Sequence, residues 1–382
     1  MKNVKIAIVG AGFSGSVIAR KLAEAGFLVD VIEERDHVAG NCFTRRDTST
    51  GIMVHNYGPH IFHTPHSEVW DFVTRFALFE PYVHRVKASH KGKIFSLPVN
   101  LHTLSQYFGK QLSPSEAQRL IEGKRIKSII EPKSFEEQAH SMMGEELYEA
   151  FFRGYTEKQW GMSAKNLPAS ILKRLPMRFN FNDNYFEHRY QGLPTNGYTD
   201  LVSNILDHSN IDVFLNTSIS ASGLSSYDWT FWSGPIDEYF DTKLGSLNYR
   251  TLDFETKTIN GDFQGCAQLN YVDLEVPYTR VTEHKHLSPW ESHDQSVVTF
   301  ETSRAWSKDD IRYYPIRLVN DGTVLLDYLD LAKKQNKITF VGRLGTYRYL
   351  DMDATIKEAL ETAELFIKTS KIDETIPSII HE

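Results

Sequence analysis

The first stretch with a clear hydrophobic rhythm is Val-Lys-Ile-Ala-Ile-Val at residues 4–9, short and mostly β-branched. Such a run predicts a strand buried on both faces, as in a parallel sheet. Gly10-Ala11-Gly12-Phe13-Ser14-Gly15 follows at once, then a helical pattern to about Ala25 that stops at Gly26. A second apolar run, Leu28-Val29-Asp30-Val31-Ile32, ends in Glu33. The spacing predicts mainly helix over 66–81 and 99–171, with starts at Ser113-Pro114 and at the capping box Ser134-Phe135-Glu136-Glu137. Between these helical stretches, Val86, Ala88 and His90 alternate with Lys87 and Ser89, and Gly92 turns the chain, so 84–97 reads as a strand pair. Short strands return at 211–217 and 229–233, and from about 245 to 330 strand candidates outnumber helical ones. Lys337 to Val341 is a parallel-type strand, and a last helix runs to about Ser370.

The opening segment is a dinucleotide fingerprint in its full context: strand, G-x-G-x-x-G, helix, strand, acid. Gly10 permits the tight turn, Gly12 lets backbone approach a pyrophosphate, and Gly15 lets helix and strand pack closely. Glu33 stands where a carboxylate accepts from ribose hydroxyls. The fingerprint alone leaves NAD and FAD open. Downstream, Glu33-Glu34 leads to Gly40-Asn41, whose backbone suits a second stretch of the cofactor. His60 and His63 flank Ile61-Phe62 after a Gly-Pro turn; they read as ring neighbours of a flavin or as hydrogen-bonded structural histidines. No third metal ligand appears at suitable spacing, so no metal site is expected.

Composition narrows the class. The formal net charge of −7 argues against a general nucleic-acid binder, so an anionic ligand needs a local arginine cluster. Cys42 and Cys266 give neither a disulfide framework nor a metal spacing. No apolar run has the length of a signal segment or membrane span, which predicts a cytoplasmic protein.

The most distinctive stretch is Gly154-Tyr155-Thr156-Glu157-Lys158-Gln159-Trp160-Gly161. Tyr148, Phe151, Phe152 and Tyr155 are spaced for one helix face. On its own, such an aromatic face is more often core than site. Beside Lys173-Arg174 it acquires a second reading, with a ring for a base and a cation for phosphates.

Together with Gly58-Pro59-His60-Ile61-Phe62-His63-Thr64, Asp183-Asn184-Tyr185-Phe186, Arg189-Tyr190-Gln191-Gly192, Pro277-Tyr278-Thr279-Arg280, Tyr313-Tyr314-Pro315 and Gly342-Arg343-Leu344, these motifs closely resemble the bacterial UDP-galactopyranose mutase family over nearly the whole chain. The resemblance implies a flavin-dependent isomerase that interconverts UDP-galactopyranose and UDP-galactofuranose for cell-surface polysaccharide synthesis. It implies attack by N5 of reduced FAD on the anomeric carbon, with no net redox change and with NAD(P)H or a reductase as electron source. It places Arg174, Arg280, His60 and His63 at the catalytic centre. It assigns Phe151, Phe152, Tyr155, Thr156, Trp160, Tyr185, Asn270, Tyr314, Tyr349, His84, Arg250 and Glu301 to substrate. Gly10, Gly12, Phe13, Ser14, Gly15, Glu33, Glu34, Asn41, His60, Ile61, Gly342, Arg343, Tyr349, Asp351 and Met352 fall to FAD. A homodimer is implied as well.

Some positions depart from the galactose pattern. Pro59 stands for Ala, Ala39 for the first Gly of Gly-Gly-Asn, and His84-Arg85-Val86 for Asn-Ser-Pro, whose Asn is a sugar-contacting position. The start Gly10 to Gly15 and the run Val86-Lys87-Ala88 are more similar to the related dTDP-fucopyranose mutases, so galactose and fucose both stay open. An amine-oxidase-like FAD oxidoreductase and a non-catalytic nucleotide-binding module are the alternatives from other classes.

The expected fold class is α/β: an FAD-binding Rossmann-like domain with an inserted helical domain and an antiparallel β-sheet domain. The first is expected from 1–65, 196–234 and 336–382, the second from 66–81 and 99–171, and the third from 82–98, 172–195 and 235–335. The segment from Pro168 to Arg178, which carries Arg174, is expected to act as a mobile lid.

Overall fold

The computed structural model describes residues 4–174, 177–316, 322–370 and 374–381, without the side chains of Lys173 and Arg174. Its centre is a five-stranded parallel sheet in the order Ile211–Phe214, Leu28–Ile32, Lys5–Val9, Trp229–Trp232, Ile338–Phe340. Three distant stretches of sequence complete one sheet, as the hydrophobic runs predict. Ile6, Ile8, Val29, Val31 and Phe231 are essentially inaccessible, because helices Phe13–Glu24, Gly197–Leu206 and Met352–Ser370 pack with them in one core. The last helix ends at Ser370, as expected.

The second sheet has seven strands, ordered Tyr314–Pro315, Tyr249–Asn260, Gln295–Ala305, Arg280–Glu283, Gln268–Tyr271, Val86–His90, Lys93–Leu97. The expectation of an antiparallel sheet holds for every pair except one. Val86–His90 runs parallel to Gln268–Tyr271, because it enters from a distant segment rather than by a hairpin. Its own partner Lys93–Leu97 is reached through Lys91 and Gly92, both at positive φ, the two-residue turn that matches strand twist.

Two other boundaries differ from expectation. Tyr190–Pro194 does not join the large sheet but pairs with Phe62–Thr64 and Phe79–Pro81 in a separate three-stranded sheet. Gly322–Lys333, within the stretch expected to be strand-rich, is a helix; Tyr328 and Ala332 bury one of its faces against Phe240 and Phe340.

The helical block packs over the edge of the second sheet, sharing a core with Val86, Ala88, Phe95 and Leu97. Pro114–Lys124 and Phe135–Met143 both start with complete capping boxes, Ser113 with Glu116 and Ser134 with Glu137. Among the described residues, no helix is long and apolar enough to cross a membrane.

Candidate active site

The glycine turn behaves as its sequence requires. Gly10 takes φ +102° and donates its N–H to Ile32 O at 2.8 Å. A Cβ on Gly15 would lie 2.0 Å from Gly10 O, so only glycine lets the helix start this close to the strand. Gly40 approaches Gly12 backbone to backbone: a Cβ on Gly40 would meet Gly12 Cα at 3.3 Å. Ala39 takes φ +73°, an uncommon conformation for a residue with a Cβ, at the position where the galactose pattern has Gly. The Glu33 carboxylate is buried and accepts from Ala11 N at 2.8 Å and Arg35 N at 3.0 Å. Around this cradle, Arg35 Nη1, Asn41 Oδ1 and Arg312 Nε are buried without hydrogen-bond partners among the described residues. A tight backbone cradle edged by an acid and by unsatisfied donors and acceptors fits a bound dinucleotide.

Phe13 and Ser14 are buried at the start of the first long helix. Gly342, at φ +72°, brings the C-terminal segment against Ser14. Arg343 donates to Leu350 O and Tyr313 O and lies over the rings of Tyr349 and Tyr314, at 5.0 and 5.8 Å. Asp351 and Met352 stand at the start of the final helix. Ile61 is buried in the main core, whereas Glu34 is exposed. His60 Nδ1 is 2.9 Å from Gly58 O, and burial, with Arg343 adding to it, lowers its pKa to about 4. Burial likewise raises the nearby Cys42 thiol to about 12, leaving it unreactive at neutral pH.

The second half of the site is written across the large sheet. Strand register puts Ala88, Asn270, Arg280, Glu301 and Phe254 in one row. Arg280 Nε donates to Glu301 Oε2 at 2.7 Å, and both residues are largely buried. Burial works against the guanidinium's charge, but Glu301 outweighs it and the Arg280 pKa is raised. Glu301 is pushed above the usual carboxylate range by burial, which Arg280 only partly offsets, and its Oε1 has no partner among the described residues. Gly58 covers the pair: a Cβ there would be 3.0 Å from Arg280 Nη2.

Phenols surround this cation. Tyr155, Tyr185 and Tyr314 all feel the Arg280 charge; burial raises Tyr185 and Tyr314 to about 12 and Tyr155 further still, so all three stay protonated. Tyr314 stacks on Tyr349 at 5.8 Å, and Trp160 lies 6.4 Å from Tyr314. The expected residues Tyr155, Trp160, Tyr185, Asn270, Arg280, Glu301, Tyr314, Tyr349 and Arg343 therefore do converge.

Others land elsewhere. The aromatic face expected over Tyr148 to Tyr155 is broken by a wide π turn at Glu149–Arg153, which offsets the rings by a fraction of a turn. Tyr148, Phe151 and Phe152 are core, at 1%, 3% and 8% exposure, and Phe151 packs on Phe95 and Tyr107. Thr156 is buried in the helix that follows. Arg250 spends Nε on Gln159 O and Ser303 Oγ and Nη2 on Lys158 O, so it caps that helix rather than presenting those donors to a ligand. The side chain of Arg174 lies outside the described residues, and the lid expectation with it.

Two further potential ligands approach His63 in space, although no sequence spacing connects them. His63, His188 and Asp353 bring one ligand atom each within 4.8 Å of one another, from segments no spacing rule connects. The two imidazole Nδ1 atoms already share a 2.7 Å hydrogen bond, and His63 stacks on Phe186 at 3.5 Å. Burial, opposed by Asp353 and reinforced by His188, brings His63 to about 4. His84 is 2% exposed; Nε2 pairs with Gln268 Oε1 at 3.2 Å and Nδ1 with Tyr82 Oη at 3.3 Å, and Gln268 passes the contact on to Asn270.

The family model described as UDP-galactopyranose mutase matches residues 150–349, the stretch holding the phenol-ringed Arg280, and a NAD(P)-binding Rossmann-like domain model matches residues 8–76. A probable UDP-galactopyranose mutase of Klebsiella pneumoniae is 55% identical over 377 residues, covering 99% of this chain and 98% of that protein. The chain belongs to the UDP-galactopyranose mutase family. A dTDP-fucopyranose mutase of Escherichia coli is 52% identical over 374 residues, covering 96% and 99% of the two chains. The fold matches a crystal structure of reduced UDP-galactopyranose mutase with a TM-score of 0.72 at 16% identity, covering 94% and 95%. As a member of this mutase family the protein is an isomerase and a flavoprotein.

Proposed function

We propose that this mutase interconverts the pyranose and furanose forms of a nucleotide-linked hexose, with UDP-galactopyranose as substrate and cell-surface polysaccharide as the destination. The observation that carries this reading is Arg280, a buried guanidinium held charged in a protein of net charge −7 and ringed by protonated phenols. Such a site suits a diphosphate, which needs a fixed cation and hydroxyl donors.

When bound and reduced, by NAD(P)H or a reductase, FAD supplies the nucleophile for the anomeric carbon. The residues of this chain bind and orient. Arg280 neutralises the departing diphosphate, and Tyr155, Tyr185, Tyr314 and Tyr349 donate hydrogen bonds to its oxygens. By the family resemblance, Arg174 supplies a second guanidinium for the same diphosphate. Trp160 covers the sugar end, and neutral His60 and His63 line the flavin side without adding charge. Glu301 Oε1 is an acceptor open to a sugar hydroxyl. The enzyme works as a cytoplasmic homodimer.

A second reading, dTDP-fucopyranose as substrate, draws on His84. Both its ring nitrogens are engaged by Tyr82 and Gln268, so it offers no free polar group to a 6-hydroxyl, which galactose has and fucose lacks. The deciding experiment assays dithionite-reduced enzyme with UDP-galactofuranose and with dTDP-fucofuranose. The higher kcat/KM names the substrate; activity with neither, or turnover that consumes oxygen, overturns the mutase reading.

A further inference from the structure

Lys158 lies in the middle of the helix Gly154–Trp160, and its three N–H donors are shared among four backbone carbonyls within hydrogen-bond distance of Nζ: Tyr271 at 2.8 Å, Asp273 at 2.9 Å, and Val276 and Tyr278 at 3.0 Å. Tyr271 ends the strand Gln268–Tyr271, and the other three lie in the connection from it to the strand Arg280–Glu283. Gly154, one helical turn earlier on the same face, presses on this connection too: a Cβ there would lie 2.0 Å from Val272 O. The carboxylate of Asp273 is not part of the cage, since it is taken by His90 Nδ1 and Lys91 N, both at 2.7 Å. A compact ammonium suits such a ring of carbonyls, where a planar guanidinium would not.

The helix that carries Tyr155 and Trp160 is thus tied to the loop that runs directly into Arg280, with the last contact two residues before it. We propose that Lys158 is a positioning residue for the nucleotide diphosphate: it ties the 271–278 connection to the motif helix and so fixes Arg280 relative to Tyr155. The proposal rests on the sugar-nucleotide reading of the site. Burial lowers the Lys158 pKa to about 8, with Asp273 and Glu275 opposing. The charged and titratable neighbours on the elements packed here are Asp273, Glu275 and Tyr278 on the loop, Tyr271 at the strand end, His90 and Lys91 on the strand turn that holds Asp273, Glu157 on the helix itself, and Arg250 on the adjoining strand. Loss of the ammonium proton removes a donor from the cage, so the tie loosens as pH rises.

The test is calorimetric binding of UDP and of dTDP to flavin-loaded wild type, Lys158→Met, Arg280→Lys and the double variant. Lys158→Met is expected to weaken binding at least about tenfold while retaining flavin. Because Lys158 acts through Arg280, the double variant should be weaker than Arg280→Lys by much less than that factor. A folded, flavin-loaded Lys158→Met that binds like wild type overturns the proposal, and so do fully multiplicative losses. If Lys158→Met does not fold, the wild type decides: its UDP affinity should fall as pH rises through about 8, and a flat profile overturns the proposal. A wild type that binds neither nucleotide overturns the sugar-nucleotide reading itself, a result distinct from an unaffected variant.

Discussion

Arg280 and Glu301 sit opposite each other on neighbouring antiparallel strands, and Nε donates to Oε2 across 2.7 Å. The pair is buried, so neither charge is dispensable to the other. Arg280→Ala would leave a buried carboxylate with no cation, a change that costs about 3–5 kcal/mol. The expected outcome is a large fall in melting temperature together with loss of nucleotide-diphosphate binding. Glu301→Gln keeps the shape and should cost less stability. Equal melting temperatures for wild type and Arg280→Ala would refute this account of the pair.

Glu33 makes a prediction at the other end of the cleft. Its two oxygens satisfy the N–H groups of Ala11 and Arg35. Glu33→Ala leaves both donors buried and unpaired, at about 1–3 kcal/mol each. Purified Glu33→Ala should carry less flavin than wild type, read from visible absorbance against protein concentration. Unchanged flavin content would remove Glu33 from the cofactor cradle.

Acid should destabilise the protein through its buried histidines. His60, His63 and His84 are all lowered to about 4, chiefly by burial. Each protonates near pH 6.5 when unfolded. Their neutral burial therefore contributes full stability above about pH 6.5, and that contribution is lost as pH falls toward about 4. For His84 alone the loss amounts to roughly 3 kcal/mol. Melting temperature should drop steadily over this window, and less steeply in His84→Gln.

His84 also bears on sugar choice. Replacing it by Asn frees Gln268 and returns an amide to the position where the galactose pattern has one. His84→Asn should shift the ratio of kcat/KM toward UDP-galactofuranose over dTDP-fucofuranose by about tenfold. An unchanged ratio would place the sugar discrimination elsewhere.

Much of the cofactor half was legible in the sequence, because its geometry is local. A strand, a glycine turn and a helix start occupy contiguous residues, and each glycine has one steric job within that span. The family motifs also named most of the residues that meet at Arg280. Lys158 belonged to the most distinctive motif, yet nothing in its spacing said which carbonyls it would face. His188 and Asp353 carried no spacing signal toward His63.

By itself, the sequence determined the alternation of buried strand, glycine turn and helix, the caps, and the chemical types available for a dinucleotide and a diphosphate. These depend on backbone sterics and hydrophobic period, which act over a few residues. Tertiary structure decided what long-range register decides: that Asn270, Arg280 and Glu301 share one row, and that Arg250 serves as a cap. It also decided that a π turn sends Phe151 and Phe152 to the core and leaves Tyr155 to the cleft. A one-residue change of pitch or pairing turns a side chain to another face, and only the folded chain fixes that choice.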